Sequence, residues 1–259
     1  MHFTNQELFE LLEEKADLYN RTSFIETDPI QIPHQFTKKE DIEIAGFLVA
    51  AIAWGQRKSI INNGNKLMQI MGSRPHEFIM DFAEKSKSHL SFVHRTFNGI
   101  DCNYFFAALK NIYQKHGGLE KVFSKNINKK TIDLKEQIIN FRHVFFELNH
   151  PLRTLKHISN PADNSAAKRI NMYLRWMVRN DKRGVDFGLW KNISPSLLSC
   201  PLDLHSGGVA RKLEILKRTQ NDWKAVEELS NKLKSFNPKD PIKYDYALFG
   251  LGAFEGFNK

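Results

Sequence analysis

Apolar residues recur along this chain at intervals of three and four, the spacing that gathers them on one face of an α-helix. These segments follow one another between sparse prolines, and the alternating apolar and polar runs that indicate strands are missing. The pattern therefore predicts an all-α protein. The predicted helices are Thr4–Tyr19, Asp41–Trp54, Ser59–Met71, Pro75–Phe82, Tyr104–His116, Leu119–Phe123, Leu134–Leu148, Ser165–Arg179, Gly207–Lys217, Trp223–Phe236 and Pro241–Leu251.

The composition narrows the class of protein. The chain has 259 residues, 41% of them hydrophobic, enough to form one large domain or two small ones. Two cysteines, Cys102 and Cys200, are too few for a disulfide framework, a zinc knuckle or an iron–sulfur cluster. The longest apolar run, Ala45–Trp54, is too short to span a bilayer, and the charged N-terminal segment does not resemble a signal peptide. We therefore expect a cytoplasmic protein that does not enter a membrane.

Positive charge is unevenly distributed. The formal net charge is +9 and the sequence pI is about 9.4. A basic protein of this size commonly binds a polyanion, most often nucleic acid, although a solvated lysine-rich surface gives the same total. Between Pro151 and Gln220 the chain has 13 lysines and arginines against 5 aspartates and glutamates, which is nearly all of the excess. Such concentration favours a surface that binds phosphates.

The predicted helix Ser165–Arg179 places several cations on one face. Lys168, Arg175 and Arg179 fall close together at helical spacing, and Asn171 lies one turn from Lys168. A solvated cationic face would account for the two arginines. It explains Lys168 less well, because a lysine in the first turn is at the unfavourable end of the helix dipole. The preceding Asp163, Asn164 and Ser165 are candidates to cap this helix, and its first amides could hold a phosphate.

A second segment brings an aspartate to the start of the next helix. In Pro201-Leu-Asp203-Leu-His205, a proline turn precedes Asp203, and Val209 and Leu213 continue the apolar face. An aspartate at this place is commonly only an N-cap. Such a cap can also be a catalyst, because the amides and the dipole keep the carboxylate ionised and able to face a developing cation.

These two segments resemble the helix-hairpin-helix base-excision DNA glycosylases. The match is the proline–apolar–aspartate–x–histidine pattern of Pro201–His205 followed by Val209-Ala-Arg211. In that superfamily the aspartate is the catalytic acid, and a lysine on the preceding hairpin helix is the nucleophile of the bifunctional members. The resemblance implies that Asp203 and Lys168 are the catalytic pair. Their separation of 35 residues is similar to that in the archaeal 8-oxoguanine glycosylase branch.

Two more segments match the superfamily in order. Ile44–Arg57, ending in Trp54-Gly-Gln56-Arg57, resembles its early apolar helix, whose glutamine-bearing loop enters the duplex, and Gln56 is the candidate wedge. Asp245–Gly252 resembles its closing helix. The chain, including this ending, also resembles a bacterial family of unknown function. It departs from the superfamily in two places: Asn160-Pro-Ala-Asp-Asn replaces the apolar-proline-glycine-x-glycine hairpin, and Ser206-Gly-Gly replaces bulkier residues.

The resemblance implies a fold of two helical subdomains with a groove between them, within one glycosylase-like unit over residues 1–259. The subdomains would cover about 40–150 and about 151–252, with residues 1–39 packing on either. The implied nucleic-acid contacts are Gln56, Arg57, Arg169, Arg175, Arg179, His205 and Arg211. Trp54, Trp176 and Trp190 are candidates to stack on an extruded base, although tryptophans in helical proteins are more often core residues.

The resulting functional hypothesis is a DNA-repair glycosylase with β-lyase activity on a damaged base, with 8-oxoguanine as one candidate. It acts through a lysine Schiff base as a monomer, with no metal or organic cofactor. A non-catalytic nucleic-acid-binding protein of the same fold, and an enzyme acting on RNA, stay open as alternatives, because a basic face does not distinguish DNA from RNA. A helical scaffold that docks an acidic protein is a further alternative.

Overall fold

The computed structural model of the protein describes residues 3–83 and 90–257. These residues form eleven α-helices, several short 3-10 helices and one two-stranded sheet, so the prediction of a helical protein is confirmed. In the described part of the chain, no helix has both the length and the apolar character needed to cross a bilayer.

The helices have the following bounds: α1 Asn5–Tyr19, α2 Lys39–Ala51, α3 Arg57–Ile70, α4 Pro75–Asp81, α5 Gly99–Lys115, α6 Leu119–Ser124, α7 Lys135–Phe145, α8 Lys168–Val178, α9 Leu204–Lys212, α10 Trp223–Phe236 and α11 Tyr244–Ala253. The strands are β1 Val93–His94 and β2 Phe97–Asn98, paired antiparallel. The 3-10 helices are Thr22–Thr27, Pro29–Gln31, Pro33–Gln35, Leu152–His157, Pro161–Asp163, Pro195–Leu197 and Pro241–Lys243.

The small hairpin of β1 and β2 was not predicted. Each strand has only two residues, which is too short for an alternating pattern to be visible in the sequence. Its turn contains Arg95 in the left-handed region, with φ of 55°. Helix α9 is also shorter than predicted, because the left-handed Glu214 ends it and the amide of Ile215 turns back to the carbonyl of Ala210.

Helix α8 begins later than predicted, and none of the three candidate caps is its N-cap. The N-cap is Ala167, which has no side chain that could accept an amide hydrogen bond. Ser165 instead forms an isolated bridge with Asp222, and its Oγ accepts a bond from the amide of Ala167 at 3.3 Å. The first helical residue is therefore Lys168.

The chain forms two compact units. One unit contains Met1–Phe24, Lys129–Leu134 and Asn160–Lys259, and we call it the catalytic-candidate unit because it contains both Lys168 and Asp203. The other contains Ile25–Asn128 and Lys135–Ser159, and we call it the phenylalanine unit after its core. The first 39 residues, for which the sequence left either subdomain open, are divided between the two units.

In the catalytic-candidate unit, α8 is enclosed and α11 packs against both α1 and α9. Every residue of α8 from Ile170 to Val178 is buried, which fits the apolar residues on most of its circumference. Helix α1 contributes Leu8, Leu12 and Ala16 to this core. Gly250 on α11 allows close approach to α1, because a β-carbon there would overlap the ring of Tyr19.

The phenylalanine unit is built around α2, which is apolar on nearly all sides and buried from Ile42 to Ala51. The ring of Phe47 packs against Phe105, Phe141 and Phe145 at centroid distances of 5.8, 5.4 and 5.5 Å. Aromatic rings at these separations attract one another beyond the area that they bury. This cluster holds α2, α5 and α7 together.

Candidate active site

The structure brings Lys168 and Asp203 together. Lys168 is the first residue of α8 and Asp203 is the N-cap of α9, and the Lys168 Nζ lies 3.6 Å from the Asp203 Oδ2. The two side chains are 30% and 24% exposed, so each is partly desolvated and still reachable from solvent. An amine and a carboxylate 35 residues apart in sequence thus form one accessible pair.

The two oxygens of Asp203 make different contacts. Oδ1 accepts hydrogen bonds from the amides of His205 and Ser206, at 2.9 and 3.0 Å, and from the Ser206 hydroxyl at 3.2 Å. The Ser206 hydroxyl also closes a capping box with the amide of Asp203. Oδ2 faces the amine of Lys168. The capping bonds therefore fix the carboxylate through one oxygen and present the other to the lysine.

The loop before Lys168 contains two residues other than glycine in the left-handed region. Asn164 and Ala167 both adopt the left-handed conformation, with φ of 60° and 45°. Asparagine tolerates this region, but it costs alanine about 1 kcal/mol or more. The Asn164 amide donates to the Asp222 Oδ2 at 3.0 Å, and the amide of Trp223 donates to the Asn164 carbonyl at 3.0 Å. Tertiary contacts to the start of α10 thus support this turn.

Two predicted nucleic-acid contacts are wrong. Arg175 and Arg179 are 4% and 1% exposed, so neither presents its guanidinium to a phosphate. Arg175 bonds to Asp245 and lies 3.3 Å from Asp186, and Arg179 lies 3.0 Å from Asp186. Arg179 also bonds to Asp181 and Asp240. These arginines are structural ion-pair partners.

The same pairing lowers the free charge of the basic segment 151–220. Four of its arginines pair with aspartates that lie outside it: Arg175 with Asp245, Arg179 with Asp240, Arg183 with Asp17 and Arg218 with Asp222. A count along the sequence misses these partners. Part of the positive excess in this segment is therefore neutralised by carboxylates from elsewhere in the chain, and it is a weaker indication of a phosphate-binding surface than the sequence suggested.

Two side chains close to the pair were not among the predicted site residues. Asp245 on α11 is 4% exposed and Cys200 is fully buried three residues before Asp203, with its Sγ 3.8 Å from the Asp245 Oδ1. Burial raises the pKa of Asp245 to about 6, an effect that Arg175 opposes and the charge of Asp203 increases. One feature of the sequence set Asp245 apart, because it is an acidic residue within an otherwise apolar helix.

Two of the three tryptophans proposed to stack on a base are in the core. Trp176 and Trp190 are 0% and 1% exposed, and Trp190 packs edge-on against Tyr173 at 5.4 Å. A flipped base cannot reach a ring that is enclosed by protein, so both predictions are corrected. Trp54 lies in the phenylalanine unit and is half-buried.

The segment Trp54–Arg57 forms a supported loop in the phenylalanine unit. His94 Nε2 lies 3.0 Å from the carbonyl of Trp54, and the Trp54 ring stacks on His157 at 5.9 Å. Gly55 has φ of 99°, which requires glycine. Gln56 is exposed and its side chain forms no capping bond to α3, while Arg57 is half-buried as the first residue of that helix. Gln56 is thus an exposed side chain on a supported loop.

The other predicted contacts lie near the start of α8 and along α9. Arg169 is half-buried next to Lys168, and His205 is exposed in the first turn of α9. Arg211 bonds to the carbonyl of Arg218 at 2.7 Å and to the Asn221 Oδ1 at 2.6 Å. Gly207 leaves space for this arginine, because a β-carbon there would lie 2.9 Å from its Nη1. The small residues after Asp203 thus admit a side chain that braces the end of α9.

The described residues contain no group of three or more histidine, cysteine, aspartate or glutamate side chains placed to hold a metal ion. The chemical groups of the site are an amine, a carboxylate with one oxygen facing that amine, and a buried second carboxylate. This set can form a covalent bond to an electrophilic carbon, move a proton and oppose a positive charge.

A comparison with family models gives one match, which covers residues 28–254 and is described as a protein of unknown function, DUF2400. The chain belongs to this family. The match includes Lys168, Asp203 and Asp245, whereas α1 lies outside it. No curated protein and no solved structure matched the chain.

Proposed function

We propose that this DUF2400 protein is a DNA N-glycosylase with lyase activity, in which Lys168 is the nucleophile and Asp203 the acidic partner. The observation that supports this best is the 3.6 Å separation of the Lys168 Nζ and the Asp203 Oδ2, on two side chains that solvent can still reach. The resemblance of Pro201–His205 to the glycosylase segment supports the same assignment.

In the proposed reaction, the neutral amine of Lys168 attacks C1′ of the target nucleotide. The Nζ–C1′ bond forms, the bond from C1′ to the base breaks and the base departs with the bonding electrons. Opening of the sugar ring then gives a Schiff base. A base such as water removes a proton from C2′, and the C3′–O bond breaks so that the 3′ phosphate leaves with the bonding electrons. Water then hydrolyses the Schiff base and frees the amine of Lys168. No electron donor or acceptor is required.

Asp203 has the geometry for two tasks in this reaction. Its Oδ2 faces the amine and can accept the proton that Lys168 must lose before it attacks. When that proton passes on to the departing base, the carboxylate is ionised again and can oppose the positive charge that develops on the sugar. The capping bonds to Oδ1 hold the carboxylate in place throughout, so little reorganisation is needed.

The proposed substrate is duplex DNA with a damaged base, and 8-oxoguanine is the first base to test. The target base must leave the stack, which costs a few kcal/mol that binding must offset. Gln56 remains the proposed wedge, and Arg57, Arg169 and His205 remain proposed phosphate contacts. We also propose that the protein acts as a cytoplasmic monomer, with the nucleotide held in a groove.

Borohydride trapping tests the proposal directly, because it converts a lysine Schiff base into a stable adduct. The protein is incubated with duplexes that contain 8-oxoguanine, uracil or an abasic site, and adducts are resolved on a denaturing gel. We expect an adduct with at least one duplex, lost in Lys168→Gln and reduced at least about a hundredfold in rate in Asp203→Asn. Lys217→Gln is the matched control, since Lys217 is exposed in the same unit.

Two outcomes would contradict the proposal. Trapping that persists in Lys168→Gln would show that another amine is the nucleophile. No adduct with any duplex, together with salt-dependent binding to DNA or RNA, would favour the alternative of a non-catalytic binding protein or an enzyme acting on RNA. The capping role of Asp203 favours that alternative, because a cap and a surface ion pair account for both side chains without chemistry.

A further inference from the structure

Asp245 bonds to both of the segments that carry Lys168 and Asp203. On α8, its Oδ2 accepts a bond from the Arg175 Nη1. On the loop before α9, its Oδ1 is 3.8 Å from the Cys200 Sγ. Asp245 is buried in α11, a helix that packs directly on α9.

The two partners of Asp245 are close in sequence to the reactive residues. Arg175 follows Lys168 by two helical turns, so both side chains project from the same face of α8. Cys200 precedes Asp203 by three residues in a segment that Pro201 stiffens. A shift of Asp245 would therefore move α8 and the α9 loop relative to each other.

We propose that Asp245 is a positioning residue for Lys168 and Asp203, which ties their two segments together and adds a third charged group to the site. The contacts that link these side chains exist in the protein without DNA. The inference rests on the proposed function only for its consequence in catalysis.

The charges around Asp245 do not cancel. Arg175 is shared between Asp245 and Asp186, and Arg179 faces Asp186, Asp181 and Asp240, so two guanidinium groups serve four carboxylates. An ionised Asp245 therefore adds negative charge to the site that contains Lys168 and Asp203. A neutral Asp245 removes that effect.

The charged groups on the other elements that pack against α11 have their own partners. From α1, Glu13 accepts a bond from the Tyr244 hydroxyl at 2.6 Å and pairs with Lys243, while Lys15 and Tyr19 bond to Glu255. From α9, the His205 ring lies 6.4 Å from Phe249 and is exposed. Asp245 itself contacts Arg175 and Cys200, and the charges of Asp203 and Lys168 act on its pKa in opposite directions.

Burial gives Asp245 a pKa of about 6, so its charge changes within a range where the protein can be studied. If the charge of Asp245 acts on Lys168, we expect the reactivity of Lys168 to change as pH rises through this value, because a nearby carboxylate charge attracts a protonated amine. The reactivity of Lys168 divided by that of a reference lysine should therefore fall through a step near pH 6.

Competitive acetylation measures this ratio without DNA. The intact protein is treated with a trace of acetic anhydride between pH 5 and 8, and peptide mass spectrometry gives the labelling of Lys168 relative to exposed Lys217. We expect the ratio in the wild-type protein to fall by roughly three- to tenfold across the step. In Asp245→Asn the ratio should remain, at every pH tested, at the high value that the wild-type protein shows near pH 5. Asp245→Glu should restore a step.

Two control variants isolate Asp245. Asp240→Asn removes a carboxylate that is bonded to Arg179 in the same network, and the step should remain. His205→Asn removes the exposed histidine beside Asp203, and the step should again remain. A flat ratio in the wild-type protein, or a step that is lost with His205, would overturn the inference, and the wild-type measurement decides even if Asp245→Asn does not fold.

Trapping then separates this inference from the proposed function. If wild-type protein forms an adduct, Asp245→Asn should move the acid limb of the pH profile of trapping to lower pH, because the amine is released from one carboxylate. If wild-type protein forms no adduct but the acetylation step is present, the glycosylase proposal fails and the link through Asp245 stands. If wild-type protein forms an adduct but shows no acetylation step, the glycosylase proposal stands and the inference about Asp245 fails.

Discussion

At the scale of single residues, Asp203 combines a structural and a chemical duty on different oxygens. Oδ1 satisfies the first amides of α9, and Oδ2 faces Lys168. An asparagine can keep the first contact because it retains one carbonyl oxygen, but it cannot keep the negative charge of the second. An alanine loses both. The two duties can therefore be separated by substitution.

We predict that Asp203→Ala lowers the free energy of unfolding by about 1 kcal/mol through loss of the cap, and that Asp203→Asn lowers it by only a few tenths. Urea denaturation measures both. Both variants should lose trapping to a similar extent, since the charge is absent in each. Equal destabilisation by the two substitutions would show that the ion pair with Lys168, and not the cap, stabilises this end of α9.

The sequence indicated this pair through a short motif and through Lys168 at the unfavourable end of a helix. It did not indicate Asp245, because the role of that residue comes from tertiary contacts with Arg175 and Cys200. It also placed the start of α8 too early, since the left-handed conformation of Ala167 is imposed by the contacts of Asn164 and Ser165 with Asp222. Local preferences do not contain such information.

At the scale of elements, the spacing of apolar residues was sufficient to locate the helices. The positive charge of the side chains on α8 was misleading as an indication of a nucleic-acid contact. Arg175 and Arg179 lie on one side of α8, as their spacing predicted, yet that side faces aspartates contributed by α11 and by loops. Whether a cationic side of a helix meets water or carboxylates depends on what packs against it. The sequence pattern of α8 alone does not show which side chains pack against it.

We predict that Arg179→Ala destabilises the protein by about 3–5 kcal/mol, because removal of one partner leaves buried carboxylates without their counter-charge. Lys217→Ala, at an exposed site of the same unit, should change stability by less than about 0.5 kcal/mol. Denaturant titration followed by circular dichroism gives both values. A loss below about 1 kcal/mol for Arg179→Ala would contradict the buried ion-pair network.

At the scale of the whole molecule, the chain begins and ends in the same unit. It leaves the catalytic-candidate unit after Phe24, contributes Lys129–Leu134 to that unit, and re-enters it at Asn160. Helix α1 packs on α11, with Leu8 and Leu12 buried, although the family match begins only at residue 28. Part of the core around the candidate site therefore comes from outside the matched region.

We predict that deletion of residues 1–21 prevents cooperative folding of the catalytic-candidate unit. Truncation of one buried leucine to alanine typically costs 2–5 kcal/mol, and loss of the entire helix approaches the whole stability of a domain, about 5–15 kcal/mol. The double variant Leu8→Ala, Leu12→Ala in the full chain is the graded comparison. Fluorescence of Trp176, Trp190 and Trp223, which are all buried in this unit, reports the transition. An unchanged urea midpoint in the deletion would refute the prediction.

The two cysteines are divided between the units, Cys102 in one and Cys200 in the other, and both are buried. Burial raises the pKa of each thiol, so neither offers a thiolate to a disulfide reagent while its surroundings are closed. Each thiol becomes reactive only when its own surroundings open. The rate at which a disulfide reagent labels each thiol in the unaltered chain therefore reports how often the surroundings of that cysteine open. Labelling of Cys200 reports local opening of the segment that leads to Asp203.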